Sequence, residues 1–135
     1  MDTARFIEIF NDRDALSKSL GIRLTVMKEG FAQAEMQITE NHLNFMGTLH
    51  GGTLFALADV AAGTSVAYHG EQSVTLNGSI HYIKAIHAGK IFARSTLLHK
   101  GRTTAVCDVK IYSEANILLC TCTFSMFMTG RQITL

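Results

Sequence analysis

One carboxylate stands alone in an apolar stretch near the middle of the chain. Asp59 is the only ionisable residue between His50 and Tyr68. The stretch opens on His50, Gly51 and Gly52, which leave the start of a helix accessible to a ligand. Free N–H groups at a helix start favour negative charge, and a carboxylate in apolar surroundings suits a general base. These residue types therefore indicate a reaction that passes through an oxyanion.

The stretch that carries Asp59 predicts a buried central helix. A helix that is apolar on every face lies inside a protein, and this one is too short and too interrupted for a good membrane span. Phe55, Ala62 and Val66 share the Asp59 side of the helix. Burying a carboxylate without a partner is costly, so we expect Asp59 to have either a function or a structural partner.

The remaining elements must position this helix. Residues 5–20 predict a helical lead-in, with Asp12 or Asp14 as the cap of a second turn and Gly21 as its end. Gly78 is a candidate bulge or bend, and Gly130 is predicted to begin a short tail. Strands are predicted over residues 22–28, 31–38, 73–87, 90–99, 103–113 and 117–128.

The order of these elements predicts an α+β fold. Nearly all connections between the strands are short, which favours an antiparallel sheet. A sheet curled around one long central helix would bury that helix on all sides. The chain has 135 residues, the usual size of one domain, so we expect a single domain over residues 1–135.

Composition excludes several classes of protein. Hydrophobic residues make up 47% of the chain and charged residues 17%, with a net charge of +1, which is ordinary globular composition and predicts neither a nucleic-acid-binding surface nor a membrane partner. The first residues lack the basic and apolar runs of a signal peptide, so a cytoplasmic location is expected.

The cysteines and histidines do not indicate a metal site. Cys107, Cys120 and Cys122 lie in strand-like runs without metal-ligand spacing, and we expect them to be buried, reduced thiols. The histidines are scattered and show no ligand pair on one helix. The serines lack a Gly-x-Ser-x-Gly elbow, and no Lys-Ser/Thr follows Gly51 and Gly52 as a phosphate loop requires.

The pattern Asn-x5-His-Gly-Gly-x6-Asp, which runs from Asn44 to Asp59, is shared with a known family. With Gly63 and residues 74–83 in support, the chain resembles the hotdog-fold thioesterases, and among them the phenylacetate-pathway (PaaI-like) acyl-CoA thioesterases. The matching element order extends this resemblance over residues 22–128. It implies a hotdog fold, an acyl-CoA substrate, and hydrolysis to the carboxylic acid and free coenzyme A.

Carried over position by position, the resemblance implies a role for five residues. Gly51 would donate its N–H to the thioester carbonyl, and Asn44 would help hold that carbonyl or the water. His50 would shape the same corner of the site. Asp59 would act as general base or nucleophile, and Thr75 would orient it.

The resemblance also implies a homodimer or homotetramer, with the site between two subunits and the sheets joined. No cofactor or metal is implied, since coenzyme A is part of the substrate. From helix facing and loop position, we expect Phe45, Met46 and Phe55 to line the acyl pocket. Lys100 and Arg102 form a turn that is most simply solvated; relatives place a basic turn near the coenzyme A phosphates, which Arg suits.

Other interpretations stay open beside this one. Asp59 is also explained as a structural carboxylate, Asn44 as a cap of its own loop, and Thr75 as ordinary strand packing. For the whole protein, the alternatives are a hotdog enoyl-CoA hydratase or dehydratase and a non-catalytic hotdog protein that binds acyl-CoA.

Overall fold

A computed structural model describes residues 1–135 as three α-helices, one 3₁₀ turn and six strands. The helices are α1 (Thr3–Arg13), α2 (Ala15–Leu20) and α3 (Gly51–Ala67), and the 3₁₀ turn is Glu40–His42. The strands are β1 (Arg23–Lys28), β2 (Phe31–Gln37), β3 (Glu71–Tyr82), β4 (Lys90–Lys100), β5 (Thr104–Ser113) and β6 (Leu118–Gln132).

The six strands form one sheet in the order β1-β2-β4-β5-β6-β3, and every neighbouring pair is antiparallel. Helix α3 contacts all six strands, because the sheet curls around it. The predicted α+β architecture, a curled antiparallel sheet around one central helix, is therefore confirmed.

Helix α3 is buried because most of its side chains are apolar and small. Ten of its seventeen residues are buried, and Leu57, Ala61 and Val66 are fully excluded from solvent. The alanines let the inner face of the sheet approach the helix closely, which gives the packing density of a protein core. One side of α3 is only half-buried, and it carries Phe55, Asp59 and Gly63. The sheet does not cover that side.

The edge strand β3 differs from its predicted form. It ends at Tyr82 rather than at residue 87. Beyond Tyr82 the chain turns back, and Ile86 accepts a hydrogen bond from the N–H of Leu49 next to the start of α3 (2.7 Å). The register shifts lie near residues 72 and 76, so the predicted bulge at Gly78 is wrong: Gly78 pairs with Phe124 in regular register.

The last strand is longer than predicted. β6 continues through Gly130 to Gln132, because it pairs with the start of β3, where Glu71 lies opposite Gln132. Gly130 has a φ of 82°, a left-handed conformation that glycine adopts without steric cost. The N–H of Gly130 donates to the Glu71 carboxylate (2.7 Å). The tail predicted from Gly130 therefore begins only after Gln132.

The helical lead-in consists of two helices, and Asp14 separates them. Asp14 caps α2, with its carboxylate accepting from the N–H and the hydroxyl of Ser17. Gly21 ends α2 with a φ of 74°. Of the two predicted caps, Asp14 is confirmed. We refer to α1 and α2 together, residues 3–20, as the N-terminal hairpin.

The side chain of Asn11 fastens the N-terminal hairpin to the sheet. Its amide nitrogen donates to the Leu24 carbonyl (2.9 Å), and its oxygen accepts from the Leu24 N–H (2.8 Å). Leu24 belongs to β1, the outermost strand at that edge. Asn11 therefore satisfies backbone groups of β1 that have no neighbouring strand.

The three cysteines are free and buried, which confirms the prediction. Burial raises the pKa of Cys120 to about 11. Burial raises the pKa of Cys122 to about 12, with smaller effects from Cys120 and Asp108. Both side chains are therefore neutral thiols near pH 7. No helix of the structure has the length and apolar character that crossing a membrane requires.

Candidate active site

Asp59 and Thr75 meet between the central helix and the edge strand. Asp59 lies in the middle of α3 on its half-buried side, and Thr75 lies on β3. The Thr75 hydroxyl donates to Asp59 Oδ1 over 2.6 Å. Asp59 forms no ion pair, and its Oδ2 has no hydrogen-bond partner in the chain. One oxygen of the carboxylate is thus held in place while the other is available to a substrate or a water.

The start of α3 leaves one N–H group without an acceptor. His50 caps the helix: its Nδ1 accepts from the N–H of Gly52 (2.8 Å), and its carbonyl accepts from the N–H groups of Thr53 and Leu54. The N–H of Gly51 has no partner in the chain. His50 therefore accepts from the neighbouring N–H groups, and only the Gly51 N–H at this helix start is left available to an acceptor from outside the chain.

Tyr82 closes over Gly51, a contact that the sequence did not predict. Its hydroxyl donates to the Gly51 carbonyl over 2.9 Å. A Cβ at position 51 would lie 3.1 Å from the tyrosine ring, so a larger residue there would require the ring to shift by a few tenths of an ångström. Partial burial, with smaller effects from Cys120 and Cys122, raises the pKa of Tyr82, so its hydroxyl remains a donor. In the sequence, the only indication of this contact was the aromatic residue Tyr82 near the end of the run 74–83.

Asn44 organises its own loop. Its Oδ1 accepts from the N–H groups of Met46 (2.9 Å) and Thr48 (3.1 Å), and its Nδ2 donates to the Thr48 hydroxyl (2.9 Å). These contacts are the loop cap that one interpretation predicted. An amide nitrogen has two hydrogens, so one of them remains free to donate to a substrate. Phe45 and Met46 lie at the exposed tip of this loop.

Within one chain, the Gly51 N–H and the Asp59 carboxylate are too far apart to contact the same small chemical group. They are eight residues apart on α3, and a helix rises about 1.5 Å per residue, which separates them by about 12 Å. A catalytic base and an oxyanion donor both have to lie within hydrogen-bond reach of the reacting atoms. The two groups of one chain do not meet this requirement together.

A cavity of about 670 Å³ opens beside Asp59. It is bounded by the N-terminal hairpin, the half-buried side of α3, the first half of β3, and Met126. Asp59 and Thr75 both line it. Its volume falls within the range of small-molecule sites.

The other predicted site residues lie outside this cavity. Phe55 packs edge-on against Phe124, with ring centroids 5.2 Å apart. Phe45 and Met46 are exposed on the loop before α3. Lys100 is exposed at the end of β4, and Arg102 is exposed in the turn that follows. None of these four exposed residues contacts Asp59 within the chain, and their predicted roles depend on a second copy or on a bound ligand.

Comparison with known proteins identifies relatives along most of the chain. The family model described as the thioesterase superfamily matches residues 46–120, more than half of the chain. The acyl-coenzyme A thioesterase PaaI of Escherichia coli is 35% identical over 104 residues, which cover 76% of this chain and 74% of PaaI.

Solved structures of similar proteins share the fold. The structure of E. coli PaaI superimposes with a TM-score of 0.89 at 30% identity and covers 94% of this chain and 93% of PaaI. A Streptococcus pneumoniae structure, described as a hypothetical thioesterase protein with coenzyme A, gives a TM-score of 0.84 at 32% identity and covers 92% of this chain and 99% of that one.

Proposed function

The chain belongs to the thioesterase superfamily, and from this membership we propose that it hydrolyses acyl-CoA thioesters to a carboxylic acid and free coenzyme A. The predicted resemblance to hotdog-fold, PaaI-like thioesterases is confirmed by the matched region and by the similarity to PaaI. One observation carries the proposal: Asp59, held by Thr75, lies at the wall of a ligand-sized cavity. The coenzyme A in the S. pneumoniae relative supports the same substrate class.

The proposed mechanism begins with polarisation of the thioester carbonyl. Its oxygen accepts a hydrogen bond from the Gly51 N–H, with the free Asn44 amide hydrogen in support. Asp59 removes a proton from a water, and the water oxygen forms a bond to the carbonyl carbon. The carbonyl electron pair moves to the oxygen, where the positive end of the α3 dipole stabilises it.

Collapse of this intermediate re-forms the carbonyl and breaks the C–S bond. Coenzyme A leaves as a thiolate, which is a good leaving group and needs no strong general acid. The mechanism uses no metal or cofactor. If Asp59 instead attacks the carbonyl carbon as a nucleophile, the thiolate leaves from an acyl–Asp59 anhydride, which water then hydrolyses. Attack of that water on the Asp59 carboxyl carbon would place ¹⁸O in Asp59 in a single turnover, whereas the general-base route always places it in the product acid.

The proposal includes a second copy of the chain, because one copy separates Gly51 from Asp59. In a homodimer, or a homotetramer built from two dimers, Asp59 of one copy would face Gly51 and Asn44 of the other. The outer edge of β3 supports this pairing, since no strand of the same chain covers it. Val74 and Leu76 on that strand are apolar and exposed. Phe45 and Met46 remain candidates for lining the acyl pocket of the other copy.

Replacement of Leu76 by Asp is expected to separate the dimer and abolish thioester hydrolysis. Leu76 is 59% exposed in the single chain, so its loss leaves the core intact. In the proposed pairing, a carboxylate at this position of β3 would be buried against the partner copy without a cation, which is costly. Sedimentation equilibrium and thiol release measure the two effects. Leu98→Asp is the matched control, at 62% exposure on β4. A Leu76→Asp protein that remains dimeric and active contradicts the proposed pairing.

Removal of the Thr75 hydroxyl is expected to lower kcat. Thr75→Val keeps the shape of the side chain but frees the Asp59 carboxylate to rotate, and misplacing a catalytic group costs between about 10- and 100-fold. Thr75→Ser restores the hydroxyl and should recover most of the activity. Steady-state kinetics of the three proteins measure this. Equal kcat values in Thr75→Val and wild type exclude a positioning role.

Free-thiol release from a panel of aromatic and aliphatic acyl-CoAs tests the proposed activity. We expect release from at least one substrate class. An enoyl-CoA assay on the same protein tests the hydratase alternative, since loss of the conjugated double bond changes absorbance without releasing thiol. Binding of acyl-CoA with neither reaction would instead support the non-catalytic alternative.

The turn at Lys100 and Arg102 is our proposed contact for the coenzyme A phosphates. Both residues are exposed, and neither pairs with a carboxylate in the chain. A guanidinium matches phosphate geometry with two parallel hydrogen bonds, so Arg102 is the stronger candidate of the two.

A further inference from the structure

We infer that the acyl tail of the substrate lies beneath the N-terminal hairpin, and that Phe10 sets the size of acyl group that the protein accepts. The inference rests on the proposed function and deepens it, because it assigns the half of the substrate that the chemistry at Asp59 leaves undefined. The proposed contacts of Lys100 and Arg102 involve only the coenzyme A phosphates and leave the acyl group unassigned.

The cavity next to Asp59 gives the tail its space. The cavity runs along α3 from Ala56 to Ala67. Asp59 and Ala67 are about 12 Å apart along the helix axis. Ten of its eighteen lining residues are hydrophobic, so it favours an apolar group. A thioester whose carbonyl carbon lies beside Asp59 therefore has an apolar channel leading away from the helix start.

Two aromatic rings of α1 form the outer wall of this cavity. Phe6 and Phe10 lie one helical turn apart, and their rings are stacked with centroids 6.1 Å apart. Phe6 is 8% exposed and belongs to a small core cluster with Leu24 and Ala67. Phe10 is only half-buried. Truncation of Phe10 therefore enlarges the cavity without removing a core residue.

The N-terminal hairpin holds this wall in a fixed position. The two hydrogen bonds of Asn11 to Leu24 dock α1 on β1. The Asp14 cap fixes the angle between α1 and α2, and the N–H of Ile22 donates to the Ser17 carbonyl (2.8 Å). Because α1 is docked on β1 and α2 is fastened behind it, the wall resists displacement by a longer tail, and its side chains determine what fits.

Gly63 lies in the opposite wall of the cavity, where a larger side chain would make the cavity smaller. It lines the cavity on α3, and a Cβ added there would meet only the Met126 methyl group at 3.7 Å, an ordinary contact. Gly63→Ala therefore narrows the cavity without a clash. Phe10→Ala widens the same cavity from the other side.

A series of saturated acyl-CoAs, from butanoyl to dodecanoyl, tests the inference. The readout is the ratio of kcat/KM for the longest substrate to that for the shortest. We expect Phe10→Ala to raise this ratio by about tenfold or more, because pockets discriminate by about 10- to 200-fold per methylene. Gly63→Ala should lower it. Phe31→Ala is the control: Phe31 is also half-buried but lies outside the cavity, and the ratio should stay as in wild type.

Binding of the same series to Asp59→Asn, measured by calorimetry, gives a second readout that needs no turnover. We expect the gain in affinity with chain length to increase in Asp59→Asn/Phe10→Ala. Ratios and affinities within twofold of the parent proteins in both cavity variants would overturn the inference, while thiol release by the wild type would leave the thioesterase proposal standing. A wild type that binds the series with the expected dependence on Phe10 but releases no thiol would overturn the proposed function alone.

Discussion

Replacement of Asp59 by Asn is expected to lower kcat for thioester hydrolysis by between about 10²- and 10⁴-fold, the usual contribution of a general base. An amide does not remove a proton from water, so the nucleophile is not generated. Thiol release at saturating acyl-CoA measures the loss. The same variant should bind acyl-CoA as tightly as wild type, since in the proposed mechanism Asp59 acts on the water rather than on the substrate.

The fold should survive this substitution. Asp59 lies on the half-buried side of α3 and forms one hydrogen bond, which the Asn carbonyl oxygen also accepts from Thr75. Circular dichroism and the unfolding midpoint should therefore match those of the wild type. Near-full activity in Asp59→Asn would show that another group serves as the base.

Asp108→Asn is a matched control for the loss of one negative charge. Asp108 is also half-buried, but it lies on the outer face of β5 and pairs with Lys110. Exposed ion pairs contribute little to stability, so this variant should keep both its fold and its activity. A loss of activity in both variants would indicate an effect of overall charge rather than of the Asp59 position.

Replacement of Gly78 by Ala is expected to lower the free energy of unfolding by about 1–3 kcal/mol, the usual cost of overpacking. A Cβ at this position would lie 2.6 Å from ring carbons of both Phe124 and Phe55. Phe124 is fully buried and has no room to withdraw. Chemical denaturation followed by circular dichroism measures the change. Gly63→Ala is the control glycine, because its added Cβ meets no atom closer than 3.7 Å.

A double variant separates overpacking from other causes. Phe55 is half-buried, and Phe55→Leu withdraws the ring that crowds position 78. The Gly78→Ala/Phe55→Leu protein should be more stable than the sum of the two single changes predicts, by more than about 0.5 kcal/mol. Additive losses would mean that the Phe55 ring is not what a side chain at position 78 meets.

The central helix and the sheet were predictable because their signals are local. The apolar run after His50 and the capping pattern around Asp14 each depend on neighbours in sequence. Short connections then leave little choice other than antiparallel pairing. The proximity of Thr75 to Asp59 did not follow from spacing; the resemblance suggested a role for Thr75, and the structure places it 2.6 Å from the carboxylate.

The missed features depend on residues that are distant in the chain. The contact between Tyr82 and Gly51 joins the end of the edge strand to the helix start, and no local pattern encodes it. The cavity under Phe10 exists because α1 docks on β1 through Asn11. The early end of β3 also depends on a distant contact, because Ile86, beyond Tyr82, accepts a hydrogen bond from Leu49.

The two margins of the sheet differ, and this limits how the protein can polymerise. On β1, the Asn11 side chain occupies the N–H and carbonyl of Leu24, and a register shift between Leu24 and Val26 distorts the strand; both features hinder the addition of a further strand there. On β3 the margin is open. A molecule with a single open edge strand can pair that strand with the same strand of one other copy by two-fold symmetry. The pair then has no open edge strand, which favours a closed dimer over fibril growth. Substitution of Asn11 would unblock the second margin and create a risk of filaments.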